Sequence, residues 1–286
     1  MLRILVTGGR GQLAVAISRY AATSEHSYRF ASSDEVDICN AEMLRKALEG
    51  VDIVINTAAY TDVEAAEDNT SDAHSVNVLG IRNIALLCLE MDIRLIHIST
   101  DYVFGGDGAR YVPYREDDAV APINAYGRTK AEGEREALKA PEAIVVRTSW
   151  LYAPWGRNFY RTIRRLAESQ TEIRVVDDQR GRPTSALSLA EMLVTIIERG
   201  IYERMSGTYH FSDRGEATWY DFATEIVQRT GGCCHVVPCS SAERPSKAQR
   251  PHYSVLSTER ITSECGIELH SWQERLGEVI EQTSFD

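Results

Sequence analysis

Arg3-Ile4-Leu5-Val6-Thr7-Gly8-Gly9-Arg10-Gly11-Gln12-Leu13-Ala14 is the stretch on which the reading of this chain turns. A short apolar run rich in branched residues and ended by glycine predicts a buried parallel strand. Val15, Ile17 and Ala21 then give a helical pattern. A glycine-rich turn between strand and helix lets backbone amides approach a pyrophosphate at the positive end of the helix. Gly8 and Gly11 keep the G-x-x-G spacing, and Ala14 is small enough for close helix–strand packing. Gly8, Arg10, Gly11, Gln12 and Leu13 are therefore candidate cofactor contacts.

Working outward, Tyr28–Ser32 is the expected second strand. An acid at its end would bond the ribose 2′-hydroxyl of NAD. Ser32-Ser33 stand there instead, with Asp34 displaced beyond, and Arg10 suits a 2′-phosphate; the expectation is NADPH, with NADH as the alternative. Asp37 and Ile38 are placed to bracket the adenine, although capping of a helix over Ala41–Leu48 competes for Asp37. A third strand, Val51–Ala59, runs into small residues that leave room for a cofactor, so Ala58, Ala59 and Tyr60 join the candidates. A long helix from Asp72 to Glu90 carries Asn77, a further candidate. Leu95–Asp101 and Ala143–Thr148 complete five strands, with Ser99 at the end of the fourth and His97 read as a core residue. Strand and helix alternating at this spacing define an α/β fold, a doubly wound parallel sheet (Rossmann) with its site at the carboxyl ends of the strands.

Pro122 ends a loop, and Asn124 is placed to cap a helix running toward Leu138 before Pro141 stops it. On that helix Tyr126 and Lys130 lie one turn apart, about 40° around the axis. A phenol with a pKa near ~10 is a poor proton donor to a ketone, and an ammonium beside it favours the phenolate. Only four lysines occur in the chain, which gives this spacing weight.

The 286 residues suit one large or two modest domains, expected as residues 1–150 for the dinucleotide and 151–286 for a smaller substrate lobe, with a segment near 185–212 returning to the first. A net charge of −11 argues against nucleic acid or an anionic membrane as partner, while 27 arginines leave room for a local anion pocket. The first residues lead straight into a strand without a signal-peptide pattern, and no apolar run is long enough to span a bilayer, so a cytoplasmic protein is expected. Six cysteines show no paired C-x-x-C spacing. Cys233, Cys234, His235 and Cys239 read as a turn and a strand with reduced thiols, and no metal is expected.

In the C-terminal half, Asn158-Phe159 opens a helix through Ser169 with Ile163 and Leu166 inward and Arg161, Arg164 and Arg165 outward. Arg174–Asp178 and Gly207–Ser212 read as strands, and Ser188–Arg199 as an amphipathic helix. Trp219–Thr230 is a helix whose Trp219, Phe222, Ile226 and Val227 read as core. Arg250, in a basic loop, suits either a diphosphate or a surface ion pair.

These blocks together resemble the extended short-chain dehydrogenase/reductases, and within them the dTDP-4-dehydrorhamnose reductases. The resemblance is carried by Thr7-Gly8 through Leu13, Asn56 through Glu64, Ser99-Thr100-Asp101-Tyr102-Val103-Phe104, Tyr126-Gly127-Arg128-Thr129-Lys130, Arg147-Thr148-Ser149-Trp150-Leu151-Tyr152, Asp178 through Thr184, and Arg250-Pro251 with Ser254 and Leu256. It implies that Thr100 and Tyr126 bond the C4 carbonyl oxygen of a nucleotide-linked 4-keto-6-deoxyhexose. Tyr126 would deliver the proton, and Lys130 would hold the nicotinamide ribose. Thr61, Val63 and Trp150 would line the sugar pocket, with Asp101 and Tyr102 beside them and Asp101 orienting its loop. Ala16 and Leu187 replace the glutamates with which some members bind a metal between subunits, leaving a monomer or homodimer without that bridge. Two alternatives stay open: a dinucleotide-binding partner protein similar to the β subunit of methionine adenosyltransferase, and a reductase of another 4-keto sugar.

Overall fold

The computed structural model describes residues 1–283, within which six strands form one parallel sheet. Its first five strands are β1 (Arg3–Thr7), β2 (Ser27–Ala31), β3 (Ile53–Asn56), β4 (Arg94–Thr100) and β5 (Ile144–Thr148). β6 (Glu172–Val176), β7 (Gly207–His210) and β8 (His235–Cys239) follow. β6 and β8 pair with each other, whereas β7 returns to lie beside β5, giving the order β7-β5-β4-β3-β1-β2. Because the chain steps from β1 outward to β2 and then back across to β3, a crevice opens at the carboxyl ends of β1 and β3.

Helices cover both faces of the inner strands, and β3 and β5 are buried along their whole length, whereas the edge strand β2 leaves Ser27 and Arg29 exposed. α1 (Gln12–Tyr20) lies on one face and α2 (Ala41–Leu48) on the other, beside α3 (Ile81–Met91). α4 (Ala125–Ala137), α5 (Phe159–Ser169), α6 (Ala186–Glu198) and α7 (Trp219–Arg229) complete the elements that shape the site.

Several elements differ from the sequence reading. The helix expected over 72–90 is a short helix, Thr70–His74, a π-turn, Ser75–Gly80, and then α3. α6 is not amphipathic; apart from Glu191, Thr195 and Glu198 it is buried all round, because α1 and the helix Trp272–Glu281 pack on it. Arg164 does not face outward; its side chain is only 13% exposed and pairs with Glu168 at 3.7 Å. Among the described residues, no helix is long and apolar enough to cross a membrane, and no group of three or more His, Cys, Asp and Glu is placed to hold a metal.

Candidate active site

A cleft of about 890 Å³ opens at the carboxyl ends of the strands. Its floor begins where β1 ends. Thr7 Oγ1 donates to Asn56 Oδ1 at 2.6 Å, and Gly8 follows with φ +70. A Cβ on Gly8 would lie 2.8 Å from the Ala58 nitrogen, so only glycine lets the two strand ends approach. The Gly9 amide donates to Ala31 O at 2.8 Å, and the Gly11 amide to Gly8 O at 2.7 Å. Gly11 starts α1 with no side-chain cap and no acid in the first turn. That open, positive helix end in the cleft fits a diphosphate. Gln12, Leu13, Ala58, Ala59 and Tyr60 line the same stretch.

At the far end, Ser32, Asp37 and Ile38 line the cleft with Arg10. Ser32 donates from its amide and its hydroxyl to Glu35 Oε2, each at 2.9 Å, closing the turn after β2. Arg10 is held by Asp34 at 2.7 Å. The cap of α2 is Asn40, which accepts from the Met43 amide, so Asp37 is released from that competing role. Asn77 does not reach the cleft lining. It is buried in the π-turn, accepting from the Tyr60 amide at 2.9 Å and donating to Tyr60 O and Thr129 Oγ1, each at 3.1 Å. Its place is behind the wall, fixing Tyr60; π-turns recur at functional sites.

Thr100, Tyr126 and Lys130 come together in the middle. Thr100 ends β4, and Asn124 caps α4 by accepting from the Gly127 amide at 2.7 Å, as its polar side chain predicts. A Cβ on Gly127 would stand 2.1 Å from Tyr102 O, so α4 rests directly on the turn after β4. That contact places the Tyr126 phenol against the Thr100 hydroxyl. Lys130 is buried and donates to Ile98 O at 2.7 Å. Burial pushes its pKa down to about 8, against the opposing pull of Glu134 on the next turn. The net lowering of the Tyr126 pKa expected beside Lys130 does not appear in the free protein. Burial pushes the phenol up, and the group opposing that rise is Thr100. Ser99 lies one residue before, its hydroxyl donating to Glu134 at 2.5 Å. His97 is buried on Asn56, as a core residue should be.

Thr61, Val63, Asp101, Tyr102 and Trp150 also line the cleft. Trp150 has φ 48, a left-handed conformation unusual for a tryptophan. A Cβ on Gly181 would lie 2.5 Å from one face of its ring, and Trp219 stacks on it with centroids 3.5 Å apart. Arg250 lies outside the lining and takes the ion pair rather than the cleft: it meets Glu64 at 2.6 Å and bonds the Tyr102 phenol.

Sequence reasoning missed Trp219, Phe159, Arg157 and Thr148, all of which line the cleft. Trp219 was expected in the core with Phe222, Ile226 and Val227. It opens α7 immediately after the Thr218–Asp221 capping box, and that box was the signal for its position at the rim. Thr148 is the register partner of Thr100 across β4 and β5, and its buried hydroxyl has no hydrogen-bond partner among the described residues.

A parallel doubly wound sheet, an uncapped glycine loop and a Tyr-x-x-x-Lys helix beside a strand-end threonine define an extended short-chain dehydrogenase/reductase. The chain belongs to the family described as RmlD substrate binding domain, whose model matches residues 2–285. It is 40% identical over 281 residues to a dTDP-4-dehydrorhamnose reductase of Mycolicibacterium smegmatis, covering 97% of this chain and 85% of that one. Among solved structures, a dTDP-4-dehydrorhamnose reductase from Clostridium acetobutylicum superposes with a TM-score of 0.92 at 36% identity, covering 98% of this chain and 99% of that one. One from Bacillus anthracis, in complex with NADP, also gives 0.92, at 33% identity, covering 99% and 100%.

Proposed function

We propose that this chain reduces the C4 ketone of dTDP-4-dehydro-L-rhamnose to the alcohol of dTDP-L-rhamnose, with NADPH as reductant. The observation that carries the reading is the meeting of Thr100, Tyr126 and Lys130 in one cleft with the glycine loop. The names of the relatives and the NADP bound to the Bacillus anthracis protein support the substrate and the cofactor. NADPH supplies a hydride to C4. Tyr126 gives its phenolic proton to the carbonyl oxygen as that oxygen gains charge, so ketone, hydride and proton become a secondary alcohol. Thr100 bonds the same oxygen and fixes its distance from the phenol. Lys130, whose ammonium rests on Ile98 O in the free protein, serves the ribose hydroxyls and steadies the phenolate left after proton transfer. Gly8, Gly11, Gln12 and Leu13 hold the dinucleotide diphosphate, while Trp150 and Trp219 form an apolar wall for the sugar. The six free cysteines support a reducing compartment, and we place the protein in the cytoplasm.

The test is to mix the isolated chain with NADPH and dTDP-4-dehydro-L-rhamnose, following 340-nm absorbance (about the nicotinamide maximum) and identifying the product. Stoichiometric oxidation with dTDP-L-rhamnose formed is expected. No oxidation leaves a dinucleotide-binding protein, and a different sugar product reassigns the substrate.

A further inference from the structure

Thr100 Oγ1 has one proton and two lone pairs, and three groups compete for them. The Tyr102 amide donates to it at 3.2 Å, the Asp101 carboxylate takes its proton at 3.1 Å, and the Tyr126 phenol meets it from α4. Asp101 is itself only 2% exposed, and its second oxygen accepts the Ser254 hydroxyl at 2.6 Å. An ionised Asp101 can only accept. It then draws the Thr100 proton to itself, and Thr100 offers the cleft a lone pair, which serves the Tyr126 hydroxyl and cannot donate to a ketone. A protonated Asp101 reverses the chain. Its O–H donates to Thr100 Oγ1, the Tyr102 amide fills the second lone pair, and the Thr100 proton is turned out into the cleft.

We propose that Asp101 is a positioning residue whose own proton decides whether Thr100 faces the substrate carbonyl oxygen as a donor or as an acceptor. The inference rests on the reductase reading and extends it to one proton. Burial pushes the Asp101 carboxyl up to about 7, in opposition to the bonds from Ser254 and Thr100. The titratable groups facing it are Tyr102 on its own turn and Tyr126 on α4; Lys130 stands one turn further along, and the Arg250–Glu64 ion pair lies against Tyr102. Ser254 thereby ties the C-terminal segment to the end of β4.

The experiment compares parent, D101N, D101A and S254A in single-turnover reduction across about pH 5.5 to 9. Asparagine copies the protonated acid, donating from Nδ2 to Thr100 while Oδ1 accepts from Ser254. D101N is therefore expected to lose the fall in rate that the parent shows near neutrality, keeping only the later fall as Lys130 deprotonates. It should also turn over at least about tenfold faster than D101A. S254A removes a donor that stabilises the carboxylate, so the parental midpoint moves to higher pH. D101N that keeps the parental fall, D101N as slow as D101A, or S254A that moves the midpoint down overturns the inference. A readout independent of turnover is the infrared carbonyl band of the protonated acid, parent minus D101N. Its absence above about pH 5, where an ordinary aspartate is ionised, also overturns it. An inactive parent that keeps this band overturns the reductase reading alone.

Discussion

The wall of the cleft supplied by β1, β4 and α4 differs from the wall supplied by Trp150 and Trp219, with Gly181 packed behind, in how its parts are linked along the chain. Residues 8–13 form the glycine loop and the start of α1 in one unbroken run, and Thr100, Tyr126 and Lys130 follow one another from a strand end to the next helix. Local geometry almost suffices there: a positive φ at Gly8, a cap at Asn124, and a glycine at 127 that lets α4 touch the turn after β4. The aromatic wall is assembled from three distant segments, and its central residue has a strained backbone held between a glycine and a second ring. The first wall is suited to chemistry, which demands fixed distances; the second is suited to recognising a substrate, which demands shape.

If that division holds, Tyr126→Phe has the largest effect. Loss of the proton donor should cut turnover by about 10²-fold or more, while cofactor affinity measured by fluorescence titration stays within about twofold because the ring remains. Near-normal turnover would remove Tyr126 from the chemistry.

The strand wall also holds a cost that the aromatic wall lacks. Lys130 is 2% exposed, and its pKa in the folded chain is about 8, below the 10.5 of a free lysine. The unfolded chain keeps its proton between those values while the folded chain has lost it, so stability rises as pH climbs through that window. The shift corresponds to about 3 kcal/mol against the charged form at pH 7. Lys130→Met should therefore raise the stability of the free protein at pH 7 by about 1–2 kcal/mol, after the loss of the bond to Ile98, while weakening the cofactor. Denaturant melts of both proteins from neutral to alkaline pH decide the matter: the gap should close above the window, and a constant gap would mean packing rather than charge.

Trp219→Ala tests the other wall. Removing the ring stacked on Trp150 should raise KM for the sugar nucleotide by about tenfold, with KM for NADPH unchanged. A parallel rise in both would mean that the two walls move as one.

What was legible in the sequence follows the same division. The order of strands and helices, the glycine loop, the cap at Asn124 and the Thr100–Tyr126–Lys130 set could all be read, because each depends on neighbours within a turn or a strand. Asn77 could not be placed correctly, since a π-turn redirects a side chain that a regular helix would carry elsewhere. Trp219 has the same spacing as the buried residues of α7, and only its position at the first turn separates rim from core. The spacing of Tyr126 and Lys130 could be read but not their burial, and burial is what dominates both pKa values in the free protein. Arg250 could be read as a cation but not paired, because Glu64, its partner, comes from a remote loop.

The smallest effect lies at the edge of the strand wall, where the two nicotinamide cofactors would be told apart. Arg10 and Asp34 pair at 2.7 Å, yet their side chains are 77% and 70% exposed. An exposed pair of this kind contributes at most about 1 kcal/mol, so a 2′-phosphate carrying more charge than one carboxylate can displace Asp34 at little cost. Arg10→Ala should therefore raise KM for NADPH by about fivefold while leaving KM for NADH within error, since two charge-assisted hydrogen bonds are lost from one cofactor only. Asp34→Ala should act in the opposite sense and lower KM for NADPH by about twofold, because the competing carboxylate is gone. Steady-state kinetics with both cofactors at low salt separates these outcomes. Equal weakening of NADPH and NADH by Arg10→Ala would instead put the guanidinium on the shared diphosphate, and discrimination would then have to come from the Ser32–Glu35 turn, whose hydroxyl and amide are already committed to a carboxylate.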